Sequence, residues 1–276
     1  MRIDAHQHFW EYDPAQQDWI DESMKSIRRD FKPGDLQPYL EEFGFDGCVA
    51  VQAEESLRET DYLLDLADQN NWIKGVVGWT DIGSSRLSQV LDQYHGNKKL
   101  KGFREILQAK PPQYMVRENF LRGLKSLQSK GYSYDILVYP WHLSAVLELV
   151  TKCEEHALVI DHLAKPLIKD GEWKEWKKNL QPIAEREFVY AKVSGLATEA
   201  DWNNWSEETL MPYIEIALEL FGPKRLMFGS DWPVSQLAGS YEKILQAVEN
   251  FTDSLSSEEK SWVMGKTATE FYKLEK

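Results

Sequence analysis

The sequence predicts a (β/α)8 barrel, and three observations carry that expectation. Eight short β-rich runs alternate with amphipathic stretches along 276 residues, the pattern of a repeated strand-helix unit. The length suits one such barrel spanning residues 1–276 as a single domain, because barrels commonly need about 250 residues. The first run ends in His6-Gln7-His8-Phe9-Trp10. It lacks the glycine-rich turn by which an open doubly wound sheet receives a phosphate.

The strands are expected at Arg2–His8, Asp46–Ala53, Ile73–Trp79, Leu100–Leu107, Ser133–Tyr139, Leu158–His162, Phe188–Ser194 and Arg225–Asp231. Most are apolar on both faces, as parallel strands covered by helices should be. The first helix, Asp35–Phe43, follows a proline and stops at Gly44, a start and a stop signal. Glu59–Asn70 sets Thr60, Leu63, Leu64 and Ala67 on one face, a helical period. Ser85–Tyr94 comes next, and Asn119–Lys130 ends at Gly131. Leu143–His156 starts after Pro140-Trp141-His142. Glu172–Glu187 carries Trp173, Trp176, Leu180 and Ile183 at helical spacing, and Glu207–Phe221 stops at Gly222-Pro223. Tyr241–Phe251 and Glu258–Leu274 close the chain.

Composition narrows the function. A net charge of -13 argues against nonspecific binding to nucleic acid or to anionic membranes. Cys48 and Cys153 are the only cysteines, too few and too far apart for a disulfide framework or a cysteine-based zinc site. No apolar leader core opens the chain and no run reaches the length of a membrane span, so a cytoplasmic protein is expected. Nothing in the sequence opposes assembly into a homo-oligomer.

A barrel keeps its chemistry at the C-terminal ends of its strands, and nearly every predicted strand here delivers an ionisable or aromatic group there. In a strand, residues two apart share a side, so His6 and His8 point to one spot. Two imidazoles there can hold a metal or polarise a substrate. Later strands end in Glu54, Trp79, Arg104, Trp141, His162, Lys192 and Asp231. Adjacent strand residues face opposite ways, so of Glu54 and Glu55 the former, sharing parity with Gln52, is expected inward.

The blocks His6-Gln7-His8-Phe9-Trp10, Lys101-Gly102-Phe103-Arg104, Asp161-His162-Leu163-Ala164-Lys165-Pro166, Lys192-Val193-Ser194-Gly195 and Phe228-Gly229-Ser230-Asp231-Trp232-Pro233 resemble the amidohydrolase superfamily, in its sugar-acid lactonase group. The resemblance implies a barrel hydrolase that opens an aldonolactone to the free acid. On that footing Asp231 is the expected general base and His162 its partner in polarising the carbonyl. His6, His8, His162 and Asp231 would ligate one divalent metal, zinc or manganese, if a metal is bound; the alternative is none. Lys101 lies too early in its strand for the bridged two-metal site of many relatives. Glu54, Trp79, Arg104, Trp141 and Lys192 are the expected substrate contacts, the tryptophans as faces for a sugar ring and the cations as stabilisers of negative charge. Trp173, Trp176, Trp202 and Trp205 are read as core or cover. One departure stands out: Glu105 follows Arg104 where the family often has histidine, which leaves the particular sugar open. Two other readings compete: a metal-dependent decarboxylase on the same scaffold, and a sugar-acid binding protein without turnover.

Overall fold

The computed structural model describes residues 1–153 and 156–275. Its strands are β1 (Ile3–Gln7), β2 (Gly47–Val51), β3 (Ile73–Gly78), β4 (Leu100–Glu105), β5 (Ser133–Ile136), β6 (Leu158–Ile160), β7 (Val189–Val193) and β8 (Leu226–Phe228). They form one sheet in sequence order, every successive pair parallel. The sheet closes through a parallel bridge between Gln7 and Trp232. Two backbone hydrogen bonds seal it: Asp231 N donates to the His6 carbonyl at 2.8 Å and His8 N to the Trp232 carbonyl at 2.7 Å. The closure therefore brings the histidine pair and Asp231 together by backbone pairing alone.

The helices are α1 (Pro33–Glu42), α2 (Leu57–Gln69), α3 (Leu87–Gln93), α4 (Glu118–Ser129), α5 (Leu143–Lys152), α6 (Lys174–Ala184), α7 (Glu207–Phe221), α8 (Tyr241–Thr252), α9 (Ser257–Ser261) and α10 (Thr267–Phe271). The expectation for α5 ran to His156; its part over residues 154 and 155 lies outside the described residues. The single helix expected over Glu258–Leu274 is instead α9 and α10, separated by a wider turn at Trp262–Lys266. Gly265 sits against the start of β1, where a Cβ would stand 2.5 Å from the Ile3 nitrogen. The chain bends there to pack its end against the barrel floor.

Hydrophobic burial divides into two cores. Phe9, Leu36, Leu63, Phe103, Leu124 and many others fill the space between strands and helices. Ile3, Ala5, Val49, Val51, Val77, Val159 and Met227 fill the barrel interior together with Phe271, Tyr272 and Leu274 from the chain's end. The register of β1 shifts between Asp4 and Gln7. That bulge explains why Ile3 and Ala5, at odd positions, and His6 and His8, at even positions, all serve the interior. No helix among the described residues is long and apolar enough to cross a membrane.

Candidate active site

Above the apolar floor of the barrel lies a layer of buried charge. Lys192 on β7 and Asp135 on β5 are both fully buried, and the ammonium lies 2.5 Å from Asp135 Oδ2 and 3.0 Å from Asp161 Oδ1. Arg104 on β4 donates from Nη1 to Asp161 Oδ2 at 2.9 Å and from Nη2 to the Gln52 carbonyl. Tyr272 reaches up from the chain's end and donates to Asp135 Oδ2 at 2.7 Å. Burial raises the Asp135 carboxyl to about 6 despite the lysine beside it. Burial pushes Asp161 the same way, but Lys192, His6 and Arg104 outweigh it and hold that carboxyl well below the usual range.

His6 rests on this layer, its Nδ1 3.2 Å from Lys192 Nζ and 3.4 Å from Asp161 Oδ1. Its Nε2 lies 3.3 Å from Arg104 Nη1 and 3.9 Å from Asp231 Oδ1. Burial keeps the ring neutral at pH 7, its pKa well below the ordinary histidine value. His8 Nδ1 faces the Val51 carbonyl at 2.7 Å. A carbonyl only accepts, so Nδ1 carries a hydrogen. That Nε2 points at Asp231 Oδ1, 3.4 Å away. His162 places Nδ1 2.8 Å from Ser194 Oγ and Nε2 3.9 Å from Asp231 Oδ1. Burial lowers His162 to about 4. Burial alone would raise Asp231, but His162, His8 and His6 around it hold it below the carboxylate range, so it is ionised at neutral pH.

Local backbone geometry aims these groups. His162, Leu163, Ala164 and Lys165 occupy the left-handed region in succession, with φ of 53°, 51°, 60° and 51°. Each such turn in a residue with a Cβ costs about 1–2 kcal/mol, so surrounding contacts must hold it. Trp176 donates its indole N–H to the Leu163 carbonyl at 2.8 Å, and Lys165 N donates to the His162 carbonyl at 2.8 Å. Gly195 is obligatory opposite this turn. Its φ is +62°, and a Cβ there would stand 2.6 Å from His162 Nδ1.

Over the layer opens a cavity of about 580 Å³ in which His8, His162, Asp231, Arg104 and Glu54 are exposed at the walls or floor. Three expected substrate contacts lie elsewhere. Lys192 has no exposed surface and lies beneath the cavity, committed to two carboxylates, with His6 Nδ1 3.2 Å from its Nζ. Trp141 is 57% exposed and stacks on Tyr139 with ring centroids 4.4 Å apart, so Tyr139 takes the cavity wall. Trp79 is absent from the cavity lining and is anchored through its backbone N–H to Thr60 Oγ1 at 2.8 Å. Trp10 and Trp232 are buried packing residues. The aromatic lining comes from Trp19, Tyr139 and Trp202 instead. Trp19 and Trp202 sit in long connections whose paths depend on distant contacts, and no local pattern marks them. Lys165 and Glu199 also line the cavity; Lys165 stood within a block that resembled the family. Glu105 turns away, accepting from Ile82 N at 2.8 Å and from Lys110 Nζ at 2.8 Å. Its difference from the family's histidine therefore acts on the β3 connection and on Lys110, which also holds Glu55.

An ionised carboxylate ringed by three imidazoles at the mouth of an eight-stranded parallel barrel defines a barrel enzyme of the hydrolytic type. The chain belongs to the amidohydrolase family, whose model matches residues 3–274. It is 38% identical to an L-fucono-1,5-lactonase of Burkholderia multivorans, over 99% of this chain and 96% of that protein. It is 34% identical to an L-fucono-1,5-lactonase of Burkholderia ambifaria, over 100% of this chain and 97% of that one. Among solved structures, an amidohydrolase from Burkholderia multivorans with bound Zn superposes with a TM-score of 0.97 at 38% identity, each chain covered completely.

Proposed function

We propose that this protein hydrolyses the cyclic ester of a sugar acid, an aldono-1,5-lactone of the L-fucono type, to the open acid. The observation that carries the reading is Asp231, ionised and within 3.4 to 3.9 Å of His8, His6 and His162, on the wall of a cavity of about 580 Å³. Two full-length lactonase relatives support the choice of substrate.

In this reading Asp231 takes a proton from water as the oxygen attacks the lactone carbonyl. Arg104 stabilises the oxyanion. Its Nη1 lies on Asp161 and His6, and its Nη2 gives one hydrogen to the Gln52 carbonyl, so the second Nη2 hydrogen is left to donate. Collapse breaks the bond to the ring oxygen, which leaves as a hydroxyl after taking the proton back from Asp231. His162, its pKa lowered by burial and its Nδ1 tied to Ser194, presents Nε2 toward Asp231 at 3.9 Å.

His6, His8 and Asp231 fit a divalent ion: one ligand atom from each lies within 4.8 Å of the others. His8 has the expected arrangement for a ligand, with Nδ1–H fixed on a carbonyl and Nε2 turned toward Asp231. Two buried cations, Arg104 and Lys192, face three buried carboxylates, Asp135, Asp161 and Asp231, so the pocket carries a negative charge that an added cation would offset. Zinc, present in the Burkholderia multivorans amidohydrolase, would supply Lewis-acid polarisation of the carbonyl when bound there.

A pH-indicator panel of aldonolactones tests the reading on wild type and Asp231→Asn. Wild type should open at least one 1,5-lactone well above its spontaneous rate. Asp231→Asn should lower kcat by about 10²–10⁴ with KM little changed. No lactone opened faster than in buffer, or carbon dioxide released from an aromatic acid instead, overturns it.

A further inference from the structure

The cavity holds a charged pair that the reaction does not use. Lys165 Nζ lies 3.1 Å from Glu199 Oε1, with side chains only 17% and 18% exposed, and both residues line the cavity. Lys165 also sits 5.4 Å above the Tyr139 ring. Neither side chain has another polar partner among the described residues. The ammonium therefore has hydrogens to give, and the far carboxylate oxygen has lone pairs to receive.

Among the described residues, no other charged group of the cavity wall offers both. Glu55 already accepts from Ile106 N and Lys110 Nζ, each at 2.9 Å. Glu54 is an acceptor whose cation, Arg58, has a side chain 73% exposed and lies outside the cavity lining. Arg104 is a donor without an adjacent free acceptor.

The backbone brings the pair into the same cavity as His162 and Asp231. The left-handed run sends His162 and Lys165, three residues apart, into one cavity. Glu199 ends a short helical turn, Ala197–Glu199, that begins two residues after Gly195.

A donor and an acceptor one hydrogen-bond length apart complement two hydroxyls on neighbouring ring carbons. One hydroxyl accepts from the ammonium while the next donates to the carboxylate. A lactone without hydroxyls can satisfy neither, and it would strip water from both charges without replacing it. We propose that Lys165 and Glu199 are the specificity-determining pair for a vicinal diol on the substrate ring. The inference rests on the lactone reading for the substrate and assigns the pair to recognition, apart from bond breaking.

The test compares wild type, Lys165→Met, Glu199→Gln and the double variant on an aldono-1,5-lactone and on δ-valerolactone, which has no hydroxyls. Each single variant should lower kcat/KM for the hydroxylated lactone about ten- to hundredfold, mainly through KM, and change valerolactone hydrolysis less than twofold. The double variant should be no worse than the product of the singles. Equal losses on both lactones, or no loss on either, overturn the proposal. If wild type opens no lactone, calorimetry with a hydroxylated δ-lactam decides. Binding about tenfold weaker in both single variants supports the pair as a diol reader; unchanged binding, or none in wild type, overturns it.

Discussion

Replacing Lys192 by methionine probes the layer beneath the site. The ammonium is fully buried and lies 2.5 Å from Asp135, 3.0 Å from Asp161 and 3.2 Å from His6. Methionine fills similar volume and removes the charge. Asp161 keeps Arg104 at 2.9 Å, whereas Asp135 keeps only the Tyr272 hydroxyl. Breaking a buried pair from one side costs about 3–5 kcal/mol. At about 2–4 °C per kcal/mol, the thermal midpoint should fall by roughly 6–20 °C at pH 8. The loss should depend on pH in a defined direction. Burial already raises Asp135 to about 6 with the lysine in place, above its unfolded value, so the folded chain binds the extra proton. Stability contributed by this group is then complete below the unfolded value and is lost as pH rises through 6. Without Lys192 the carboxyl rises further, and lowering the pH from 8 to 5 should return at least about 1 kcal/mol relative to wild type. Adding Asp135→Asn should return about half of the deficit at pH 8. Differential scanning calorimetry at both pH values checks this. A variant within about 1 kcal/mol of wild type at pH 8, or a deficit that grows on acidification, would refute the ion-pair account.

Three further outcomes follow from the same geometry. Burial holds His162 at about 4, so kcat/KM should stay level down to pH 5 and fall as the ring charges near 4; an acid limb at the ordinary histidine value would show the ring to be solvated. Ala164→Gly should leave stability within about 1 kcal/mol of wild type, since relief of the left-handed cost offsets the added chain entropy and the loss of a buried methyl, and urea unfolding reads it; a loss above about 2 kcal/mol would show that the turn is unstrained. His8→Ala should abolish tight zinc binding measured by metal analysis after dialysis, where wild type retains about one ion per chain; equal retention by both would place zinc elsewhere.

How much of this was legible in the sequence follows from which contacts are local. Strand and helix periodicity is written in neighbouring residues, so the eight-fold alternation and the rim position of His6, His8, Arg104, His162 and Asp231 can be read directly. Strand ends were overextended, as where β6 stops at Ile160 and Asp161 to Lys165 turn left-handed. No propensity foretells that run, because a tryptophan from α6 holds it.

By itself the sequence determined a parallel barrel and the residue types that meet at its mouth, because alternation of two dictates side and strand order dictates neighbours. Depth and loop path were decided by the tertiary structure alone. Lys192 shares parity with the rim but lies one layer below it, paired to Asp135 two strands away. Trp141, in the turn after β5, is largely exposed, while Trp19 and Trp202, from connections far apart in the chain, supply the wall. Inward direction is a local property of the pleat. Depth depends on how eight strands are staggered around a closed cylinder, and a connection's path depends on what it packs against.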